Sequence, residues 1–209
     1  MGLFSVNHER IVRENTEDLR NIPINPGRTV VVNMNTVNGY LRFGNMASPA
    51  LGKAVEQMLR VNEYFMRSRK IFAIDAHSKE SPELKNFPDH CTSEEEREVA
   101  DELAHFVPQG DIMYKNSANL FVAFDYVRWL AENKRTADNF VIVGGMTDID
   151  VLQFALSQKA YFNENNRRGK VIVIENAVRT FSSDAHDGAS AQTFALYNMM
   201  INGISLAKI

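Results

Sequence analysis

Residues 139–156 read N-F-V-I-V-G-G-M-T-D-I-D-V-L-Q-F-A-L, and this stretch decides the fold class. Phe140 to Val143 is a short apolar run rich in β-branched residues, which is typical of a strand buried in a parallel sheet. Gly144 and Gly145 follow this run, and a helical spacing of apolar residues then begins. The stretch therefore predicts a sharp turn from a buried strand into a helix.

Asp150 lies in the first turn of this predicted helix. Thr147 stands three residues before it, a spacing that fits a capping box and places the carboxylate at the positive end of the helix dipole. A turn of this kind usually presents a nucleophile, and backbone N–H groups around Met146, Thr147 and Asp150 would then form an oxyanion hole. Because acidic residues also cap helices without any further role, the turn alone leaves both interpretations open.

Composition excludes several classes of function. The chain has 209 residues, 44% of them hydrophobic, with a net charge of −3 and one cysteine, Cys91. We expect no nucleic-acid surface on a chain of this charge. A single cysteine excludes an intrachain disulfide and favours a reducing compartment. No apolar run approaches the roughly 18 residues of a membrane helix, so we expect a cytoplasmic protein without a membrane partner.

Strands and helices alternate along the rest of the chain. The further predicted strands cover residues 29–34, 70–75, 111–114 and 170–174. The predicted helices cover residues 47–69, 93–105 with a Ser93–Glu96 capping box, 118–132, 147–166 and 185–202. Repeated β–α units predict a single α/β domain over residues 29–209, with three αβα layers and a mainly parallel sheet of about five or six strands. Residues 1–28 are expected to form an N-terminal arm, either disordered or reaching onto a partner subunit.

Polar side chains stand at, or just after, the carboxyl ends of the predicted strands. They are Asn33, Asp75 with His77, Lys115 and Asp150. Ligands of open α/β sheets bind at the carboxyl ends of the strands, so these residues are the candidates for a site. Each also has a simpler interpretation, because Asn33 can hydrogen-bond neighbouring backbone and Lys115 can be a solvated surface lysine.

Several motifs, in this order along the chain, resemble those of the isochorismatase-like cysteine hydrolases, the family that includes nicotinamidases. The motifs are V-V-V-N-M-N at 30–35, I-D-A-H at 74–77 with N-F-P-D-H-C at 86–91, Y-K-N-S-A-N-L-F at 114–121, the turn at 144–150, and E-N-A-V-R-T-F at 175–181 followed by His186. The resemblance runs from about residue 28 to the end of the chain and implies an isochorismatase-like αβα fold. His186 with Asp184 and Asp187 either lines the pocket or belongs to the cap of the last helix.

The resemblance implies that the family's catalytic aspartate, lysine and cysteine fall on Asn33, Lys115 and Asp150. In that family the aspartate accepts the thiol proton, the lysine balances charge and the cysteine attacks an amide or related carbon. Asn33 cannot accept a proton in that role, and a carboxylate is a poor nucleophile toward an amide. We therefore expect cysteine-type amidase activity to be absent. If Asp150 lies across the pocket from Lys115, it replaces the lost negative charge and preserves a pocket for a small polar molecule.

A metal site is a separate prediction. Asp75 and His77 are two residues apart at a strand end, so both side chains can face one side, and His90 completes a ligand set suited to zinc or iron. The resemblance implies a metal at these positions, although an Asp-x-His triplet by itself often reflects local hydrogen bonding. Cys91 is interpreted as a small buried hydrophobe, because adjacent side chains of an extended segment point apart and His90 then cannot activate the thiol.

Three functions remain open from the sequence. The first is a non-catalytic family member that binds a small polar ligand or acts through its oligomeric surface. The second is a hydrolase that cleaves a vinyl ether with Asp150 as the proton donor, and the third an amide hydrolase that uses a metal-bound water with Asp150 as base. The resemblance also implies a homo-oligomer, a dimer or a tetramer.

Overall fold

The computed structural model describes residues 7–209, which form a single parallel sheet of seven strands. The strands are β1 (Thr16–Asp18), β2 (Thr29–Met34), β3 (Arg69–Asp75), β4 (Gly110–Lys115), β5 (Asn139–Gly144), β6 (Lys170–Val178) and β7 (Ser205–Lys208). Their order across the sheet is β1-β7-β6-β5-β2-β3-β4, and every neighbouring pair is parallel. The predicted α/β class is confirmed, with seven strands rather than five or six.

Helices cover both faces of this sheet, as the three-layer prediction requires. Those within residues 7–209 are α1 (His8–Glu14), α2 (Asn38–Leu41), α3 (Pro49–Gly52), α4 (Val55–Tyr64), α5 (Glu94–Arg97), α6 (Asp101–Ala104), α7 (Phe124–Asn133), α8 (Leu152–Glu164) and α9 (Gly188–Ile201). One apolar cluster packs α7, α8 and α9 against the sheet, and a second packs α2, α3, α4 and α6 against the opposite face. No helix among the described residues is long and apolar enough to span a bilayer.

Two predicted helices are each interrupted in the structure. The segment 47–69 divides into α3 and α4 at Gly52, a residue with low helix propensity. The segment 93–105 divides into α5 and α6, because Glu98 is extended and Val99 forms a bridge with Val37. The capping box of Ser93 and Glu96 is confirmed at the start of α5.

The two strands that the sequence pattern did not show lie together at one edge of the sheet. β1 pairs with β7, with Thr16 opposite Leu206. Strands of three and four residues are too short to show an alternating pattern. Within the segment expected to be an N-terminal arm, α1 packs against α9 and β1 extends the sheet, while residues 1–6 lie outside the described part of the chain.

The strand order reverses between β2 and β5. The chain moves outward from β2 through β3 to β4 and then returns to place β5 beside β2. Such a reversal leaves a crevice at the carboxyl ends of the two central strands, where open α/β sheets bind their ligands. The carboxyl ends of β2, β3, β4 and β5 are therefore where a site is expected.

Candidate functional site

The centre of the candidate site is a buried ion pair between neighbouring strands. Asp75 ends β3 and Lys115 ends β4, and the two residues are direct partners in the parallel register. The ammonium of Lys115 donates to a carboxylate oxygen of Asp75, and both side chains are almost completely excluded from solvent. The register of these two strands thus places a cation and an anion in contact inside the protein.

The turn after β5 brings a second carboxylate to the same lysine. Gly144 has a φ of +106°, and a Cβ at this position would lie 1.9 Å from the carbonyl oxygen of Met34, so only glycine fits. A cis peptide bond joins Gly145 to Met146, and a π-helical turn follows over Thr147–Val151. Asp150 therefore lies in the first turn of the helical segment, as predicted, and its carboxylate accepts a hydrogen bond from Lys115 Nζ at 2.6 Å.

The predicted capping box at this turn is wrong. Met146 occupies the N-cap position without a side-chain cap, and the buried hydroxyl of Thr147 has no partner within residues 7–209. Asp150 instead accepts the N–H of Met146 at 3.1 Å. The N–H of Thr147 donates to the carbonyl of Arg179 at 3.2 Å. The N–H groups of Met146 and Thr147 thus have partners within the chain, and an oxyanion hole at Met146, Thr147 and Asp150 stays a prediction.

The two carboxylates beside Lys115 differ in their pKa values. Burial raises the pKa of Asp150 to about 6, because the opposing charge of Lys115 is partly offset by the negative charge of Asp75. Burial also acts to raise the pKa of Asp75, but Lys115 and the hydroxyl of Tyr40 outweigh it and lower that pKa. For Lys115, burial acts to lower the pKa, and the two carboxylates outweigh it and raise the pKa. The site therefore contains a buried Asp75–Lys115 pair and a second carboxyl group, Asp150, whose pKa is raised.

Asn33 lies apart from this pair. Its side-chain amide exchanges two hydrogen bonds, of 2.7 and 3.2 Å, with the amide of Asn62 on α4. Within the described chain its side chain has no hydrogen bond to Lys115 or Asp150. The predicted grouping of Asn33, Lys115 and Asp150 is corrected accordingly: Lys115 has two carboxylate partners, and the second is Asp75.

Two residues that the sequence analysis missed hold Asp75 in place. The side-chain amide of Asn35 donates to Asp75 Oδ2 at 2.8 Å, and the hydroxyl of Tyr40 donates to the same oxygen. Asn35 stands just after β2 with a φ of +50°, and its place at a strand end was the signal that could have shown it. Tyr40 is on the short helix α2, and no pattern in the sequence indicates its contact.

Asp75, His77 and His90 are brought together as the metal prediction requires. One ligand atom from each lies within 4.8 Å of the others, and all three residues are buried. Neither ring nitrogen of His77 has a hydrogen-bond partner among residues 7–209, although Nε2 lies 3.9 Å from Asp75 Oδ1. His90 uses Nδ1 to contact the carbonyl of Pro88, which leaves Nε2 for a ligand. These residues fit zinc or iron, which would act there as a Lewis acid. Lys115 competes with such an ion for one oxygen of Asp75.

The cavity at the site is small. It is lined by Tyr40, Met46, Asp75, Glu83, Phe87, His90, Ile149 and Asp150, and it has room for about one water molecule, about 10 Å³. A single water or metal ion fits this space. A molecule with several non-hydrogen atoms fits only when the wall moves.

The remaining candidates lie beside the site rather than in it. His186 Nε2 contacts Asp148 Oδ2 at 2.8 Å, which ties the loop before α9 to the π-helical turn. Asp187 caps α9, and Asp184 is exposed, so both fit the cap interpretation. Cys91 is fully buried in an apolar cluster, and burial raises the pKa of its thiol, so its interpretation as a small hydrophobe is confirmed.

The sequence profile of the isochorismatase domain matches residues 29–204. The chain belongs to the isochorismatase family. Among curated proteins none shows significant sequence similarity to it. Known structures of this family share its fold at low sequence identity. A nicotinamidase from Bacillus subtilis has 20% identity and a TM-score of 0.72 over 87% of this chain and 99% of its own.

Two further similar structures belong to proteins named for other activities. An N-carbamoylsarcosine amidase from Thermoplasma acidophilum has 22% identity and a TM-score of 0.67 over 87% of this chain and 96% of its own. A pyrazinamidase of Pyrococcus horikoshii, solved in complex with zinc, has 16% identity and a TM-score of 0.69 over 87% and 99%. At these identities the likeness establishes the shared fold, and the chemistry of this member has to be argued from its own residues.

Proposed function

We propose that this isochorismatase-family protein has lost cysteine-type amidase chemistry and keeps a polar pocket that admits a small polar molecule when its wall moves. The observation that carries the proposal is the ion pair of Asp150 with Lys115, at 2.6 Å, in the turn where the family's nucleophile is expected. One oxygen of Asp150 accepts from the ammonium of Lys115 and the other from the N–H of Met146, and both bonds lower the nucleophilicity of the carboxylate. We also expect the family's homo-oligomeric assembly, a dimer or a tetramer.

The charges around Lys115 support the proposal that the polar pocket is retained. An unpaired buried lysine costs about 3–5 kcal/mol, so a chain that simply lost the family's chemistry would be expected to lose Lys115 as well. Here Lys115 has two carboxylates, and Asp75 has two further donors, Asn35 and Tyr40. This cluster lies at the strand-order reversal, where open α/β sheets bind their ligands.

Back-substitution tests the proposal. We expect the unmodified protein to leave nicotinamide and a panel of small amides unhydrolysed, and Asp150→Cys to introduce slow amidase activity, because the thiol would then stand beside Lys115. The variant Asn33→Asp/Asp150→Cys is expected to be more active only if the carboxylate introduced at position 33 turns from Asn62 towards the pocket. Strong amidase activity of the unmodified protein would overturn the proposal.

Asp150→Ser is the matched control for these assays. It removes the same carboxylate and inserts a hydroxyl of similar size to the thiol, which is a weaker nucleophile. Amidase activity in the cysteine variant and none in the serine variant would assign the gain to the thiol. Equal activity in both would show that loss of the carboxylate alone opens the pocket, and would contradict the account of a missing thiol.

Metal binding at Asp75, His77 and His90 is part of the same proposal. Zinc or iron is expected to be present in the purified protein by elemental analysis, and His77→Ala is expected to remove it, since His77 has no other hydrogen-bond partner within the described residues. His105→Ala, at a histidine outside the cluster, is the control. Equal metal content in the His77 variant and the control would reject the site.

Acid catalysis is the second candidate function. It is favoured by one specific observation, the raised pKa of Asp150, about 6, next to a second carboxylate that stays ionised. A carboxyl group with a pKa of about 6 is protonated below that pH and can then protonate a vinyl ether. We expect such activity to fall as pH rises above about 6 and to vanish in Asp150→Asn; a rate that is unchanged in that variant would exclude Asp150 as the acid.

A further inference from the structure

A second concentration of charge lies at the opposite end of the sheet from the candidate site. Two open clefts, of about 490 and 400 Å³, adjoin the amino ends of β2, β5 and β6 and share Arg28, Asp138 and Arg167 among their lining residues. The first also contains Lys134 and Arg135, and the second Arg168 and Lys170. Six cationic side chains thus surround one carboxylate, in a chain whose net charge is −3.

The ion pairs of this region leave most of that charge uncompensated. Asp138 pairs with both Arg28 and Arg167, and among residues 7–209 it is the only carboxylate within ion-pair distance of the six cations. Lys170 donates to the neutral carbonyl of Pro23 at 2.7 Å. Four cationic groups therefore have no anionic partner in the described chain.

Helix dipoles account for only part of the excess. Lys134 and Arg135 follow the end of α7, and Arg167 and Arg168 follow the end of α8, where cations are favourable. Each helix end is equivalent to about half a negative charge, so the two ends together offset about one of the cations. An excess of several positive charges remains, and a fold that needed only helix caps would not require it.

Arg167 supplies an independent observation. Its Nη2 donates to Asp138 and to the carbonyl of Ala137, each at 3.0 Å, and its guanidinium lies over the ring of Phe162. Its Nη1 is buried without a hydrogen-bond partner in the described residues. A charged donor without an acceptor is costly, and a small rotation of the guanidinium would bring Nη1 to an acceptor bound in the adjoining clefts.

We propose that these two clefts form a binding site for a small molecule bearing a pyrophosphate group. Guanidinium groups pair with phosphate oxygens through two parallel hydrogen bonds, and the cleft volumes lie in the range of ligand pockets, about 300–1,000 Å³. Tyr161 lines the first cleft and offers an aromatic wall to a group attached to the phosphates. β5 runs six residues between this site and the turn that bears Asp150, so roughly 17 Å separates them and the site is a distinct one.

Calorimetric titration of the full chain with pyrophosphate and with ATP tests the site. We expect saturable 1:1 binding that weakens at least tenfold in Arg135→Gln/Arg168→Gln. Both of these side chains are exposed, so the double variant is expected to fold normally. ATP binding more tightly than pyrophosphate would assign a nucleotide as the ligand, and equal affinities would assign the free pyrophosphate group.

The matched control removes the same charge elsewhere. Arg10→Gln/Arg13→Gln changes two exposed arginines on α1, and its affinity is expected to stay within twofold of the unmodified protein. An equal loss in both double variants would show that the binding is general electrostatic attraction, and would overturn the proposal. The absence of saturable binding would overturn it as well. A single-stranded oligonucleotide that binds more tightly than ATP would also overturn it, because the clefts would then bind a phosphodiester chain.

Discussion

Lys70 and Lys115 stand on neighbouring strands, are both buried, and have opposite surroundings. Lys70, near the start of β3, donates to three backbone carbonyls, those of Phe65, Met66 and Ser68, and lies over the ring of Phe106. Lys115, at the end of β4, contacts two carboxylates. Carbonyls just beyond a helix end accept a cation as a cap, whereas two buried carboxylates make the cation part of an electrostatic site.

The pKa values of the two lysines move in opposite directions for this reason. Burial lowers the pKa of Lys70. For Lys115 the same effect is outweighed by Asp150 and Asp75, so its pKa is raised. A buried lysine is therefore not by itself a sign of function; the charge of its partners decides whether it is a structural cap or part of a site.

Removing each ammonium gives the largest expected difference. Lys115→Met leaves two buried carboxylates without their cation, and we expect a loss of about 3–5 kcal/mol in the free energy of unfolding at pH 7. Lys70→Met, the matched control, leaves neutral carbonyls unpaired and is expected to cost about 1–2 kcal/mol. Urea denaturation of both variants measures the difference, and equal losses would contradict the distinction between site and cap.

The pH dependence of stability sharpens the comparison further. Because the pKa of Asp150 is raised from 3.8 to about 6, the folded state favours its protonated form, and the stability that this group contributes below pH 4 is lost as pH rises through 6. Since one pKa unit corresponds to about 1.4 kcal/mol, Asp150→Asn should gain on the order of 2–3 kcal/mol relative to the unmodified protein between pH 4 and 7.

Asp75 is expected to change the stability of the fold with pH in the opposite direction from Asp150. Its pKa is lowered, so the stability it contributes is present at neutral pH and is lost as pH falls below about 4. Denaturation curves of Asp75→Asn and Asp150→Asn from pH 3 to 7 separate the two windows. A constant difference between Asp150→Asn and the unmodified protein over pH 4–7 would show that Asp150 is ionised throughout.

The smallest expected effect is that of removing the hydroxyl of Tyr40, one of the donors to Asp75. Tyr40→Phe removes a hydrogen bond to a buried carboxylate and should cost about 1.5–3 kcal/mol, with the pKa of Asp75 moving upward. Tyr126→Phe removes a bond of 2.6 Å to the neutral amide of Gln158 and should cost about 0.5–1.5 kcal/mol. Carboxyl carbon NMR of Asp75 adds the decisive readout, since only the Tyr40 variant is expected to move its titration.

Much of the fold could be predicted because its central strands are long and apolar. The strands over residues 29–34 and 139–144 are buried along their whole length, and their composition shows it. The strands β1 and β7 could not be predicted in the same way, because three or four residues carry no periodic signal. The interruption between α5 and α6 depends on a bridge from Val99 to Val37, a contact between segments far apart in the sequence.

For the site, residue type and position at a strand end identified Lys115, Asp75 and Asp150. The sequence did not show which of the site's side chains contact one another. Motif order placed Asn33 with Lys115, but the amide of Asn33 pairs with Asn62 on α4. Asn35, two residues further and beyond the end of β2, is the residue that reaches Asp75. Tyr40 reaches the site from a helix whose place no local pattern reveals.

The sequence by itself determined the family, the αβα class and the presence of the Asp150 carboxylate in the turn after β5, since these depend on residue identity and order along the chain. Only the tertiary structure decided which carboxylate completes the pair with Lys115. The register of β3 and β4 brings Asp75 to the ammonium, and the turn after β5 brings Asp150 from the other side. The Coulomb energy of two charges falls as the distance between them grows. Strand register and chain reversal set that distance, whereas separation in sequence does not.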